Sequence, residues 1–306
     1  MAAIRNEPGL DELPTEGRDP AGADLDLRST AELVRLMGEA DATVPHAVAA
    51  AGEAVVAAID EIAARLARGG RLVYVGAGTS GRLALVDAVE CQSTFGLDPG
   101  RVVALVAGGA DSAATAQEHA EDDAEAGAAE VTALAVGERD AVVGISASGR
   151  TPYVLGAFEV ARGAVALTVG VVCVEGSPIG ATADREIAVV VGAEVLAGST
   201  RLKAGTAQKL VLNTISTVSM IRLGKTYGNL MVDLVATNDK LRNRVRRIVQ
   251  LATGASSTEV AAALDASDGD AKVAIVTLLA GVDASTARER LARAGAGGVV
   301  RKALGQ

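Results

Sequence analysis

Residues 70–82 of the chain read GRLVYVGAGTSGR. The apolar run Leu72–Val75 predicts a buried strand, and the glycine-rich turn after it carries the hydroxyls of Thr79 and Ser80. A helical pattern follows from Leu83. A strand, a tight turn and a helix N-terminus in this order bring unpaired backbone N–H groups and the positive end of a helix dipole to one point. The stretch therefore predicts a site for an anion, and a phosphate group is the simplest candidate.

Apolar runs alternate with helical patterns over residues 72–191, which predicts an α/β fold. Strands are expected at Leu72–Val75, Val102–Val106, Ala141–Ile145, Ala166–Val174 and Ile187–Val191, and helices between them at Ser80–Val89, Ser112–Ala128, Pro152–Arg162 and Gly180–Ala183. Strands that are apolar throughout indicate a parallel sheet that is covered on both faces. Ligands of such sheets bind outside the carboxyl ends of the strands.

The flanking segments are predicted to be helical. Ser29 and Glu32 have the spacing of a capping box for a helix to about Glu39, and residues 44–68 predict one long helix. One or two long helices are expected over residues 201–251, followed by three short ones at Ser257–Leu264, Asp270–Leu279 and Ala284–Ala294. We therefore expect an N-terminal arm and helix at 1–50, a sheet domain at 51–250 and a small helical subdomain at 251–306.

Composition narrows the classes of function. The chain has 306 residues and a formal net charge of −9, which argues against a nucleic-acid partner. The basic run at 240–247 is interpreted as a solvated helix face. Cys91 and Cys173 lack the spacing of a zinc site or a disulfide framework, as is typical of a reducing compartment. Neither a signal peptide nor a membrane span is apparent, so a cytoplasmic protein is expected.

The first loop has a competing interpretation, because residues 76–81 formally match the GxGxxG motif of dinucleotide sites. That interpretation needs an acidic residue at the end of the second strand to hold the ribose. Val102–Val106 is instead followed by AGGA, and the nearest acid, Asp111, comes too late. Thr79 and Ser80 also favour a compact monophosphate, since hydroxyls can donate to terminal phosphate oxygens.

A second hydroxyl cluster, SASGRT at 146–151, follows the third predicted strand and precedes a helix that begins at Pro152. Alone, it would be interpreted as a helix cap with serines that solvate a turn. Two such loops on one sheet, however, can hold a dianion from both sides.

The two loops together resemble the sugar isomerase (SIS) phosphosugar-binding domain. More closely, the chain resembles the N-acetylmuramic acid 6-phosphate etherase family, which is related to the vertebrate glucokinase regulatory protein. The resemblance is carried by residues 76–83, by DAVEC at 87–91, by the long signature at 192–209, and by 227–233, 236–238 and the upstream TEGR at 15–18. It departs from the family at Gln92 and Ser93, where prolines are common, and at His119, where glycine is common. The implied fold is an αβα sandwich of SIS type with a small C-terminal helical subdomain.

The resemblance implies removal of D-lactate from C3 of N-acetylmuramic acid 6-phosphate, which leaves N-acetylglucosamine 6-phosphate. Elimination followed by water addition needs no metal or redox cofactor, and two carboxyl groups with separated pKa values would suffice for its proton transfers. By the resemblance, Glu90 is the general acid, and partial burial is expected to raise its pKa. Glu121 is the other acid/base residue. Glu118, one turn earlier, stays a secondary candidate, and His119 is interpreted as a bystander.

The implied binding residues come from three segments. The first loop supplies Gly78, Thr79 and Ser80, the second supplies Ser146, Ser148, Gly149 and Thr151, and the signature segment supplies Ser199, Arg201 and Lys203. Arg82 and Lys203 are the candidate cations for the lactyl carboxylate. The expected partners are a small phosphosugar and a second copy of the chain, paired through the helices after Lys203, with neither nucleic acid nor membrane.

Overall fold

A five-stranded parallel sheet forms the centre of the computed structural model, which describes residues 14–109, 118–236, 238–295 and 299–306. Its strands are β1 Leu72–Gly76, β2 Val102–Val106, β3 Ala141–Ser146, β4 Leu167–Val172 and β5 Arg185–Ala188. They lie in the order β2-β1-β3-β4-β5, and every pair is parallel. The order reverses between β1 and β3, which is the point where open α/β sheets bind their ligands. The α/β prediction is confirmed.

Helices cover both faces of the sheet. The helices in chain order are α1 Thr30–Asp41, α2 Val44–Ala50, α3 Gly52–Ala67, α4 Gly78–Phe95, α5 Ala124–Ala133, α6 Pro152–Gly163, α7 Pro178–Thr182, α8 Lys203–Arg222, α9 Asp239–Thr253, α10 Ser257–Ala266, α11 Ala271–Ala280, α12 Ala284–Ala294 and α13 Val299–Ala303. Alternate residues of each strand point to opposite faces. Tyr74 and Val143 accordingly pack with α3, α4 and α8, whereas Val73 and Val142 pack with α5, α6 and α7. In the described parts of the chain, no helix is both long and apolar enough to cross a bilayer.

A separate apolar cluster gathers residues between Val232 and Ala303, most of them on α9 to α13. It begins upstream of the predicted boundary at residue 250, since Val245 and Val249 of α9 belong to it. The domain boundaries themselves stay a prediction.

Several predicted helices differ from the observed ones. The capping box at Ser29 and Glu32 is confirmed. The single helix predicted for 44–68 is wrong, because the chain leaves helical geometry at Ala51 (φ −81°, ψ 6°) and continues as α3. The helix expected to end at Val89 runs on to Phe95, where Gly96 ends it with a φ of 55°.

Two further segments are divided by their own caps. Of the helix predicted at 112–128, residues 112–117 lie outside the described residues. Glu118–Asp122 is a 3-10 turn, and Asp123 then caps α5 by accepting a hydrogen bond from the N–H of Ala126 at 2.9 Å. Between α8 and α9 the chain forms a short hairpin of β6 Thr226–Tyr227 and β7 Leu230–Met231, which the sequence patterns did not predict.

Candidate active site

The two hydroxyl-bearing loops lie side by side. We call residues 77–81 and 146–151 the paired loops. They leave β1 and β3 at the same edge of the sheet, where these strands are direct neighbours and Gly76 is level with Ile145. The predicted meeting of the two loops is confirmed at the level of the sheet, and it occurs at the reversal point of the strand order.

The first loop brings the start of α4 onto the end of β1. The N–H of Gly81 donates to the carbonyl of Ala77 at 3.1 Å. A Cβ at Gly81 would lie 2.6 Å from the carbonyl oxygen of Gly76, so only glycine allows this approach. Gly78 is exposed and Thr79 is half-buried, and both therefore remain accessible to a ligand. Ser80 is buried, and its hydroxyl donates to Oε1 of Gln208 at 2.9 Å.

The second loop is organised around the buried hydroxyl of Ser146. Its oxygen accepts the N–H of Gly149 at 3.0 Å and lies 2.8 Å from Oγ1 of Thr151 and 3.4 Å from Oγ of Ser148. Gly149 has a φ of +68°, and a Cβ there would collide with Oγ of Ser177. Ser146 therefore shapes the loop from inside, whereas the half-buried Ser148 and Thr151 form its accessible edge.

The signature segment supplies the start of α8. Glu194 is 1% exposed, and its two carboxylate oxygens accept the N–H groups of Lys203 at 3.0 Å and Ala204 at 2.9 Å. Lys203 is itself buried, and its Nζ donates to the carbonyl of Val191 at 2.8 Å. These contacts show Lys203 bonded within the protein rather than at an open surface. The capping role of Glu194 was missed, because its carboxylate reaches the start of α8 from nine residues upstream of Lys203, outside the spacing of a local helix cap.

The remaining signature residues lie at the surface. Ser199 is half-buried and Arg201 is exposed in the segment that leads into α8. Arg82, the other candidate cation, is half-buried in the first turns of α4.

The predicted burial of Glu90 is wrong for a single copy of the chain. Glu90 is exposed, because α4 turns Asp87, Ala88 and Cys91 toward the core and leaves Val86, Val89 and Glu90 outside. It follows Ser80 by ten residues, which is about 15 Å along a helix at 1.5 Å per residue.

Glu121 is also exposed, in the 3-10 turn that comes before α5. His119 lies exposed in the same turn, and the side chain of Glu118 lies outside the described part of the structure.

A buried carboxylate that the sequence patterns did not reveal lies between β1, α4 and α8. Asp87 is 5% exposed and accepts hydrogen bonds from the Tyr74 hydroxyl at 2.8 Å, Asn213 Nδ2 at 2.6 Å and Ser216 Oγ at 3.1 Å. Burial raises the pKa of Asp87, although these three donors and Lys209 oppose the shift. Burial also raises the pKa of Tyr74 well above its usual value. Together with the Ser80–Gln208 bond, this cluster fixes α4 against α8.

Comparison with known proteins gives a consistent result. A sequence model of the glucokinase regulatory protein N-terminal SIS domain matches residues 54–162. A phosphoheptose isomerase structure from Francisella tularensis superposes with a TM-score of 0.52 at 19% identity, covering 63% of this chain and 98% of that one, which shows the shared fold of the sheet domain.

Two relatives are similar over nearly the whole chain. A protein from Rubrobacter xylanophilus is 60% identical over 297 residues, 97% of each chain, and one from Streptomyces coelicolor is 56% identical over 286 residues, 94% of this chain and 92% of the relative. Both are named N-acetylmuramic acid 6-phosphate etherase. At this identity and coverage, with the paired loops in place on an SIS-type sheet, the chain belongs to the N-acetylmuramic acid 6-phosphate etherase family.

Proposed function

We propose that this protein cleaves the D-lactyl ether of N-acetylmuramic acid 6-phosphate and releases D-lactate and N-acetylglucosamine 6-phosphate. Membership of the etherase family supports this activity. The structural observation that carries it is the adjacency of the paired loops, where Thr79, Ser148 and Thr151 and the start of α4 lie at neighbouring strand ends. Such a site suits a phosphate dianion, because hydroxyl groups and helix N-terminal amides donate to its oxygens.

The chemistry follows from the substrate in its open-chain form. The C1 aldehyde makes the C2 proton acidic, and a base removes that proton. The electron pair forms a C2–C3 double bond as the C3–O bond breaks, and an acid protonates the departing lactyl oxygen. Water then adds at C3, and a proton returns to C2. The protein thus acts as a carbon–oxygen lyase followed by a hydratase, and both steps require proton transfer by positioned acids and bases.

We assign Glu90 as the acid that protonates the lactyl oxygen and Glu121 as the second acid/base residue. Gly78, Thr79, Ser80, Ser146, Ser148, Gly149 and Thr151 form the phosphate site, and Ser199, Arg82 and Lys203 belong to the surrounding substrate site. The exposure of both carboxyl groups leaves them accessible to a ligand. For Lys203, the bond from Nζ to the Val191 carbonyl supports a role in shaping the signature segment rather than direct contact with a carboxylate.

We further propose a homodimer in which Glu90 acts on the substrate held by the partner subunit. The separation of about 15 Å between Ser80 and Glu90 along α4 exceeds what one sugar ring bound at the helix start bridges easily. Val86 and Val89, beside Glu90, are 61% and 55% exposed, and an apolar groove of about 490 Å³ lies between α3 and α8. The exposed valines beside Glu90 and the apolar groove elsewhere on the surface both support pairing around a two-fold axis.

The experiment that tests the activity is incubation with N-acetylmuramic acid 6-phosphate in water enriched in oxygen-18. D-lactate should appear, and the label should enter the sugar product, because the ether oxygen leaves with lactate and water supplies the new C3 hydroxyl. Label in lactate would overturn the elimination mechanism. Binding of the phosphosugar without release of lactate would favour the alternative, a phosphosugar-sensing regulatory protein.

A further inference from the structure

Gln208 contains a buried polar group that the proposed reaction does not use. The residue is 2% exposed on α8, and its Oε1 accepts the hydroxyl of Ser80. Its Nε2 is buried and has no hydrogen-bond partner among the described residues. A buried amide donor without a partner is rare and costs free energy, so its presence beside a ligand loop calls for an explanation.

The observed orientation also conflicts with the role assigned to Ser80. A hydroxyl has one proton to donate. While Ser80 donates that proton to Oε1 of Gln208, its oxygen presents only lone pairs to the phosphate position in the first loop. These lone pairs repel a phosphate dianion. Ser80 therefore cannot donate to a phosphate in this arrangement, although it is the third residue of α4 and lies at the anion end of the helix.

We propose that Gln208 is a positioning residue that frees the Ser80 hydroxyl proton, now donated to Oε1 of Gln208, for donation to the phosphate when the phosphate binds. A half-turn of the side-chain amide exchanges Oε1 and Nε2. Nε2 then donates to Oγ of Ser80, and the released Ser80 hydroxyl donates to a phosphate oxygen. The inference rests on the phosphate site of the proposed function, and the rotation gives Nε2 the partner that it lacks in the structure.

The surroundings of Gln208 favour a rotation of the amide over a movement of the helix. α8 is fixed at its start by Glu194, which accepts the N–H groups of Lys203 and Ala204, one turn before Gln208. Beyond it, Asn213 and Ser216 anchor the same helix to Asp87 of α4. Gly205 lies against Thr79, with its Cβ position 3.5 Å from Cγ2 of that residue. The backbone on both sides is thus held in place, and the terminal torsion of Gln208 is the softest degree of freedom between α8 and the first loop.

Two substitutions separate this role from simple packing. Gln208→Glu keeps the shape but can only accept, so it holds the Ser80 proton and adds a negative charge near the phosphate. Gln208→Met fills similar volume and leaves the Ser80 proton free. We expect Gln208→Glu to weaken binding of N-acetylglucosamine 6-phosphate and of inorganic phosphate by about 10- to 100-fold, and Gln208→Met by less than about 5-fold, from the usual strength of hydrogen bonds to charged groups. Titration calorimetry measures both affinities.

The controls separate the outcomes. Gln250→Glu makes the same chemical change on the exposed face of α9 and should leave binding as in the wild type. Equal losses for the Glu and Met variants would show that Gln208 only packs, and the proposal would be overturned. Because the probes are phosphate and the sugar phosphate, failure of lactate release in the wild type would contradict the proposed reaction without affecting this result.

A second measurement covers the case in which Gln208→Glu does not fold. The side-chain NH2 group of Gln208 gives a pair of cross-peaks in a proton–nitrogen-15 NMR correlation spectrum. The pair is assigned because it is missing from the spectrum of Gln208→Met. Addition of inorganic phosphate should shift this pair downfield and slow its hydrogen exchange, because Nε2 gains an acceptor. An unchanged resonance at saturating phosphate would rule out the rotation.

Discussion

Glu90 and Glu121 are the residues on which the proposed proton transfers depend. Replacing either carboxyl group by an amide keeps the shape and removes the exchangeable proton. We expect Glu90→Gln and Glu121→Gln to lower kcat for lactate release by roughly 10²- to 10⁴-fold, the usual contribution of general acid–base catalysis, with KM changed only a few-fold.

The matched control for both variants is Glu125→Gln, an exposed glutamate on the neighbouring α5. It should keep the wild-type kcat. A Glu90→Gln protein that releases lactate at the normal rate would remove Glu90 from the mechanism. Loss of sugar-phosphate binding in that variant would instead show that Glu90 acts in binding.

Substitution of Gly149 by alanine adds one methyl group to the second loop and tests whether the shape of that loop matters. In Gly149→Ala the new Cβ would collide with Ser177 Oγ, and alanine would have to adopt a φ of +68°. We expect a loss of about 2 kcal/mol of folding free energy from strain alone, and at least a roughly ten-fold weaker affinity for phosphate, because Ser148 and Thr151 are displaced. Urea unfolding and calorimetry measure the two effects.

Gly163→Ala is the control for that substitution. It lies at the end of the helix that the second loop begins, has no positive φ and has open space around its Cβ position. Its stability should equal or slightly exceed that of the wild type. Equal phosphate affinity in the two alanine variants would contradict the proposed role of the second loop.

At the scale of the elements, one ion pair connects the two strands that carry the paired loops. Asp140 directly precedes β3, and Arg71 directly precedes β1. The carboxylate accepts the Arg71 N–H at 2.7 Å, the Arg71 guanidinium at 2.7 Å and the Gly137 N–H at 2.9 Å. Burial alone would raise the pKa of Asp140, but these contacts outweigh it and hold the pKa below the usual value of 3.8.

This lowered pKa predicts an acid-dependent part of the stability. Because the folded state binds the proton less tightly, Asp140 stabilises the fold above about pH 4 and loses that contribution as the pH falls through the folded pKa. Asp140→Asn should lower the free energy of unfolding by about 2–3 kcal/mol near pH 7, which is less than for a fully buried pair because Arg71 stays partly exposed. Between about pH 4 and pH 2 the variant should lose less stability than the wild type does. Asp98→Asn, an exposed aspartate before β2, should match the wild type at every pH. Urea unfolding at a series of pH values measures these free energies. If the stability of the wild type and of Asp140→Asn fell equally between about pH 4 and pH 2, the proposed role of Asp140 would be contradicted.

The elements also show what the sequence could and could not predict. The first four strands could be predicted because an apolar run such as Leu72–Val75 is recognised without knowledge of its neighbours, and the paired loops followed from the turn residues at the strand ends. The fifth strand was expected at Ile187–Val191 but lies at Arg185–Ala188, because its bounds depend on which residues pair with β4. The bond between Ser80 and Gln208 joins residues 128 positions apart, and the hydrogen bonds to Asp87 come from β1 and α8. Such contacts depend on how α8 packs on α4, which no local pattern reveals. The exposure of Glu90 was missed because the helix was expected to end at Val89, whereas α4 continues to Phe95 and turns Asp87 and Cys91 toward the core instead of Glu90.

At the scale of the whole molecule, the assembly decides which site Glu90 serves. In a dimer that pairs the loops of one subunit with Glu90 of the other, a mixed dimer of Glu90→Gln with a Ser148→Ala/Thr151→Ala loop variant contains one intact site. Each parent dimer contains none. When the two variants are mixed in equal amounts, dissociated and allowed to reassociate, half of the dimers are mixed and each mixed dimer has one intact site out of two. About one quarter of the activity of the same amount of wild-type protein should therefore return.

The control for this complementation is a loop variant that also carries Glu90→Gln, because its mixed dimers contain no intact site under either arrangement. It should restore nothing. Differently tagged subunits confirm that mixed dimers have formed.

If mixed dimers form and activity stays absent, Glu90 serves the loops of its own subunit, and the substrate has to extend along α4 to reach it. A monomer at assay concentration, measured by light scattering, would overturn the shared site altogether. Activity that recovers with the predicted stoichiometry would account for the exposed position of Glu90 beside Val86 and Val89, which a single subunit leaves unexplained.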